Sequence, residues 1–245
     1  MNAVLSDRTV DPDVFTASPE YDKRFSGDVG EYFLSVQWQA IERLLSKVLP
    51  GSGTRSVLEV GGGHLQTTNK LLALGHRVTV HASTPDALRK LAASPLATRI
   101  ETLVCPIEKI GALSSRYDAV ICLRLIPHVR DEAALIAALV SLARQAVIFD
   151  FASTRGLNSL SKLGFVFKRK IEKNTRPYFN HSPNHIRATL EKLCCGDIRF
   201  EGQFMFPMGL HRAIKKPALS ETIESLLGFL RDSWGNPVIC GARKS

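Results

Sequence analysis

The chain has 245 residues, 44% of them apolar, with 32 Lys and Arg against 23 Asp and Glu for a formal charge of +9 and a mean hydropathy of zero. That balance excludes collagen-like, low-complexity and wholly disordered chains. The length suits one large domain, at roughly 100–200 residues each. The apolar run Ala133–Val140 ends at Ser141, well short of the ~18–20 residues a bilayer crossing needs. The opening MNAVLSDRTVDPDVF has no continuous apolar core of a secretory signal, so a cytoplasmic protein is expected. Five cysteines, Cys105, Cys122, Cys194, Cys195 and Cys240, are odd in number and lack C-x-x-C spacing. They are expected to be buried thiols, with no disulfide framework and no metal.

Apolar residues at Phe33, Leu34, Ile41, Leu44, Leu45 and Val48 predict an amphipathic helix over residues 29–49, ended by Pro50-Gly51-Ser52-Gly53. Short β-branched runs then alternate with helical stretches. Strands are predicted at 56–60, 77–81, 99–105, 117–123 and 145–151, and helices at 65–74, 85–92 and 132–142. This alternation implies parallel crossovers and an α/β, Rossmann-like sheet of seven mostly parallel strands, with helices on both faces. Ligands of such sheets bind outside the carboxyl ends of the strands.

After Phe151 the pattern changes. Residues 155–176 hold Arg155, Lys162, Lys168, Arg169, Lys170, Lys173 and Arg176 against Glu172 alone. Leu157, Leu160, Leu163, Phe167 and Ile171 recur every three or four residues, the pattern of a helix with an apolar stripe beside a basic face. It reads as a lid packed on the core, or as a surface for an anionic membrane or phosphate-bearing partner. A helix over 183–193, a strand near 198–206, a helical insertion around 219–232 and a strand at 238–241 complete the chain. Its parts are an N-terminal arm and helix (1–54), a ligand-binding core (55–151), and a basic lid with the C-terminal part of the same domain (152–245).

The strongest local signal is Val57-Leu58-Glu59-Val60-Gly61-Gly62-Gly63, a strand running into three glycines. Glycines there allow a tight turn and let a ligand approach the main chain. The dinucleotide spacing G-x-G-x-x-G fails, because Gln66 stands sixth from Gly61. No Gly-Lys-Ser/Thr of a phosphate loop follows. The segment resembles instead the first motif of the class I S-adenosylmethionine-dependent methyltransferases. That resemblance continues through Gly75–Val80 and Thr84–Leu88 and resumes at Tyr117–Val129, similar to the fourth strand and its His-Val ending in small-molecule and quinone-type enzymes. It covers about residues 55–151.

The resemblance implies S-adenosylmethionine as cofactor, with Gly61, Gly62 and Gly63 around its methionine part, Glu59 toward its amino end, and Leu123 at the end of the fourth strand. Two departures stand out. The family's acid at the end of the second strand is replaced by Ala82, which accepts no hydrogen bond. His81 or Ser83 is the candidate substitute there, His81 reading equally as a structural histidine. Pro106 stands where a second acid meets the adenine in relatives, leaving Ile107 and Glu108 as candidates. Tyr21 and Arg24 precede the first helix, either folded over the cofactor's carboxylate or part of an unstructured arm.

Methyl transfer needs an aligned nucleophile and, for oxygen acceptors, a base. His128 is the first candidate base, with a pKa suited to neutrality. His181 and Tyr178 lie before the helix that Ser182 and Pro183 open, in the region that faces substrate in this fold. Phe204–Arg212 reads as an apolar pocket wall or a strand end in the core. The expected activity is methyl transfer to a small or lipid-like acceptor at oxygen. Competing readings are a non-catalytic binding or scaffold protein, from Ala82 and Pro106, and a nucleic-acid methyltransferase, from the basic pI. The charge concentrated in one segment, and the missing D/N-P-P-Y/F/W signature, argue against nucleic acid.

Overall fold

In the computed structural model, which describes residues 11–155 and 178–245, strands β1 (Ser56–Val60), β2 (Arg77–Ala82), β3 (Glu101–Val104), β4 (Tyr117–Cys122) and β5 (Ala143–Ser153) are all parallel. The two-residue β6 (Asn180–His181) pairs with the end of β5. After β7 (Cys195–Gly202), β8 (Val238–Lys244) inserts antiparallel between β5 and β7. Seven strands thus run in the order β3-β2-β1-β4-β5-β8-β7, with β6 beside that path. This is the mostly parallel α/β sheet expected from the alternation of elements.

Strand periodicity sorts side chains onto two cores. Leu58, Val60, Val120 and Cys122 face the cluster beneath helix α6 (Glu132–Leu142) and the helix Pro183–Lys192. Val57, Ala119, Ile121 and Ile148 face the other, built on helix α3 (Gly27–Val48). Helix α3 lies close on the sheet, where a Cβ at Gly241 would come within 3.2 Å of Leu44 Cβ. Arg43 (2.7 Å) and Lys47 (3.6 Å) tie its exposed edge to Glu201 of β7.

Several expectations are corrected. The arm before α3 is folded, with helices α1 (Pro12–Thr16) and α2 (Pro19–Asp22) each opened by a proline at its first position. The predicted helix 65–74 is a turn at Gly62–His64 followed by α4 (Thr68–Ala73), because Leu65 adopts a left-handed conformation (φ 58°). Residues 85–92 divide into a 3-10 turn, Pro85–Leu88, and α5 (Arg89–Ala92). The strand expected to reach Phe206 stops at Gly202, and Met208–Ile214 is helical. The insertion therefore starts earlier than expected, as helices Met208–Ile214 and Pro217–Leu226. Buried Glu224 joins its start to its end, accepting from the amides of Met205 (2.8 Å) and Phe206 (3.0 Å) and from His211 Nε2 (3.0 Å). The basic segment 155–176 lies, apart from Arg155, outside the described residues. No helix among the described residues is long and apolar enough to cross a membrane.

At Gly63 the glycine loop touches the turn after β2: a Cβ there would stand 2.0 Å from the Ala87 carbonyl oxygen. Backbone meets backbone, so relief requires moving a whole segment. Gly63→Ala is expected to destabilise the protein by about 3 kcal/mol, the upper range for overpacking, as read by urea unfolding.

Candidate functional site

The strand order reverses between β1 and β4, since β1 leads outward to β2 and β4 leads the other way to β5. A crevice opens at the carboxyl ends of such a pair. Gly61 follows β1 with φ +68°, and a Cβ there would press on Leu125 Cδ1 (2.6 Å) and Asp13 Cβ (3.2 Å). Glycine thus meets both a backbone and a space requirement at this turn. The neighbouring Asp13 belongs to α1, so the N-terminal arm lies directly on the glycine loop.

Glu59 is buried and accepts from the hydroxyls of Thr67 and Thr68. Burial pushes its carboxyl up to about 7, against the opposing effect of those two hydrogen bonds. His64 is also buried. Its Nδ1 accepts from the Gln66 amide (3.2 Å), so the ring proton sits on Nε2, which has no partner among the described residues. Burial, with the charges of Arg124 and Lys90, holds this ring well below the usual histidine pKa and therefore neutral.

At the end of β2, Ala82 is fully buried and contributes no polar side chain. A carboxylate reaches the place from elsewhere in the chain. The Ser83 amide donates to Asp13 Oδ2 at 2.6 Å, while Asp13 Oδ1 is buried without a partner. His81 Nε2 donates to the Cys105 carbonyl (2.9 Å), which leaves Nδ1 as an unpartnered buried acceptor; Ser83 Oγ is unpartnered too. Burial lowers the His81 pKa. Three buried groups able to accept from hydroxyls therefore gather where the expected acid is missing. Ile107 is buried in the core, and Glu108 beside it is exposed. Leu123 is buried just past β4.

Beyond β4 lies an aromatic and cationic wall. His128 packs edge-on against Phe15 (5.9 Å) and Tyr178 (5.5 Å). Tyr21 is buried against Phe15 (5.2 Å), and the Arg24 guanidinium stands 4.9 Å from the Tyr21 ring. The segment bearing Tyr21 and Arg24 is thus folded against the protein. Arg212 extends the wall by donating to the Arg24 carbonyl (3.4 Å). His181 points elsewhere. Its Nδ1 is 3.7 Å from Glu132, which also holds His185 at 2.8 Å. The structure brings His128 and Tyr178 together and places His181 on the α6 side.

Sequence reasoning missed Asp13, His64, Arg124 and Asp150. Arg124 and Asp150 carry a legible signal, a charge set against an apolar strand in Ile121-Cys122-Leu123-Arg124 and Ile148-Phe149-Asp150-Phe151. They meet in space, where the Arg124 amide donates to Asp150 Oδ1. Burial raises the Asp150 carboxyl to about 6, opposed by that amide and by the Arg124 charge. Asp13 carries no such signal, because its role depends on where a short helix docks.

No family model matches the chain. A curated relative, the magnesium-protoporphyrin O-methyltransferase of a Synechocystis species, is 38% identical over 86 residues, a match spanning 34% of this chain and 36% of that protein. The chain therefore matches only about a third of that relative's length. Among solved structures, the Synechocystis magnesium protoporphyrin IX methyltransferase with bound S-adenosylhomocysteine superposes with a TM-score of 0.62 at 20% identity, covering 94% of this chain and 97% of that one. A methyltransferase from Archaeoglobus fulgidus gives 0.58 at 16% identity over 92% and 98%. The phosphoethanolamine N-methyltransferase 2 of Haemonchus contortus, in complex with S-adenosylmethionine, gives 0.59 at 16% identity over 97% and 60%.

The raised Glu59 pKa has a definite sign in stability. Between about pH 4.5 and 7 the unfolded chain releases this proton while the folded protein retains it, so stability falls as pH rises through that window. The full effect is about 3 kcal/mol at roughly 1.4 kcal/mol per unit. Glu59→Gln, which mimics the protonated acid, is expected to reduce the loss between pH 5 and pH 8 by up to that amount in urea unfolding. Equal pH slopes in the two proteins would refute the assignment.

Proposed function

We propose that this chain, which has the class I S-adenosylmethionine-dependent methyltransferase fold, transfers a methyl group from S-adenosylmethionine to a small or lipid-like acceptor at oxygen. The observation that carries this reading is the set of unpartnered buried polar atoms at the ends of β1 and β2: Asp13 Oδ1, His81 Nδ1, Ser83 Oγ and His64 Nε2. Buried polar atoms are rarely left without partners. These belong to groups suited to a nucleoside diol and an amino-acid end, and solved neighbours of the same fold are recorded with S-adenosylmethionine or S-adenosylhomocysteine bound.

The residues present fit that cofactor despite Ala82. Asp13 would take the place of the strand-end acid, its Oδ2 fixed by the Ser83 amide and its Oδ1 able to accept from the ribose hydroxyls, with His81 and Ser83 beside it. Ile107 and Glu108 flank the adenine end. Gly61, Gly62 and Gly63 let the amino-acid end approach the main chain, and Glu59 faces its ammonium. A cation beside Glu59 favours the ionised carboxylate. When bound, the cofactor supplies a methyl group on a positively charged sulfur. His128 accepts the acceptor's proton, while Phe15, Tyr21 and Tyr178 form an apolar wall that excludes water and aligns the nucleophile. The displaced acid at Ala82 no longer favours a non-catalytic scaffold, because Asp13 supplies the missing chemistry.

Titration calorimetry tests the cofactor site. Micromolar binding of S-adenosylhomocysteine is expected, abolished by Gly61→Arg and weakened about tenfold or more by Asp13→Ala, since each 1.4 kcal/mol is a factor of ten. Absence of binding to the folded wild type would overturn the reading. Tighter binding by Asp13→Ala would show that α1 obstructs the site and does not complete it. For the chemical step, radiolabelled methyl transfer is measured on a panel of phenols, carboxylic acids and lipids. His128→Ala is expected to slow transfer about a hundredfold, with affinity for S-adenosylhomocysteine within twofold of wild type.

A further inference from the structure

Arg124 is a buried cation with one side of its fork unused. It follows β4 in a left-handed conformation (φ 66°), held there by the hydrogen bond from its amide to Asp150. The residue is 5% exposed. Its guanidinium stands 3.7 Å from the centre of the Phe25 ring, and Nη2 donates to Gln37 Oε1 at 2.9 Å. Nη1 is buried and has no partner among the described residues. Asp150 spends its contact on the backbone amide, and among the described residues no carboxylate lies within ion-pair distance of the Arg124 guanidinium.

A guanidinium buried without an ion-pair partner is unfavourable. Asp150 and Asp22 favour its charge without forming an ion pair with the fork. Arg24 and Arg212 act on the same Tyr21 ring as Arg124, so three cations gather along this wall. A second unused donor stands past the adjacent strand end, the Nε2–H of His64, the last residue of the turn Gly62–His64 after β1. β1 and β4 are hydrogen-bonded neighbours, with Val60 opposite Cys122, and strands in such a pair are about 4.8 Å apart. The Arg124 charge acts on His64, and a planar fork of N–H groups together with a neutral imidazole N–H matches the two oxygens of a carboxylate.

We propose that Arg124 and His64 form a carboxylate-binding site at the switch point between β1 and β4. The site stands on these donors alone, and the proposal rests on the methyltransferase reading only for the source of the carboxylate. That source is either the amino-acid end of the cofactor or an acidic acceptor lying along the Phe25 and Tyr21 rings. The guanidinium fixes the carboxylate by charge and direction, and His64 adds a hydrogen bond that does not depend on its own ionisation.

The test compares wild type, Arg124→Gln and Arg124→Lys, each checked for folding by thermal unfolding, in calorimetric titrations with three probes. S-adenosylmethionine and its decarboxylated form differ only in the carboxylate, and benzoate is titrated into protein saturated with S-adenosylhomocysteine. If the carboxylate is the cofactor's, wild type prefers S-adenosylmethionine over the decarboxylated form by about 30-fold or more. Arg124→Gln then removes that preference while binding the decarboxylated form as wild type does. If it is the acceptor's, the two sulfonium ligands bind alike in all proteins, and Arg124→Gln abolishes benzoate binding seen in wild type. Either result supports the site. Arg124→Lys, which keeps the charge and loses the fork, should fall between wild type and Arg124→Gln, and it serves alone if the Gln variant does not fold. Unchanged binding of all three probes in a folded variant overturns the proposal, as does a wild type that shows neither the carboxylate preference nor benzoate binding. Arg124-dependent benzoate binding by free protein that binds neither sulfonium ligand would sink the cofactor reading and leave the site standing.

Discussion

The reversal of strand order between β1 and β4 is the constraint on which the rest of the molecule depends. Two neighbouring parallel strands whose chains depart in opposite directions leave their carboxyl ends uncovered, and only loops or an added segment can close the gap. Here the glycine loop, the turn containing Arg124 and the docked helix α1 meet at that opening. Each has an unusual backbone or a buried charge that would be costly elsewhere: left-handed Leu65 and Arg124, buried Glu59, Asp13 and Asp150. The sheet supplies the rigidity that holds them. Val60 in one core and Val80 in the other are fully packed.

Much of this sheet is legible in the sequence, because parallel strands buried on both faces read as short apolar, β-branched runs. β1 and α6 have the predicted bounds, and β2, β4 and β5 differ by one or two residues at their ends. The glycine loop and Glu59 are likewise visible from local order. Elements whose form depends on tertiary contacts are not. The helix after the glycine loop loses its first turn to Leu65, whose left-handed backbone nothing in its side chain announces. The strand expected to run through Phe204–Phe206 ends earlier because Glu224, eighteen or nineteen residues on, captures the Met205 and Phe206 amides.

The cofactor side shows the same division. Ala82 reads as the loss of a function when the second strand is considered alone. The docked arm changes that conclusion, since Asp13 lies seventy residues upstream of the amide it engages. Chemistry at a strand end is fixed by position in space, and here a carboxylate reaches that place on a separate helix. His81, equally plausible as a structural or a binding histidine from sequence, anchors the turn at Cys105 through one nitrogen, while the other has no partner among the described residues.

The contact of Gly63 with the Ala87 carbonyl has a mechanical consequence. With no room even for a methyl group between the two turns, the glycine loop and the segment Pro85–Leu88 share one van der Waals surface. Close-packed surfaces transmit displacement and do not absorb it. A ligand that settled the turn after β2 would therefore also settle the glycine loop. The two halves of a ligand spanning both turns are thermodynamically linked through the protein, and the intact molecule binds with more free energy than its separated pieces would sum to.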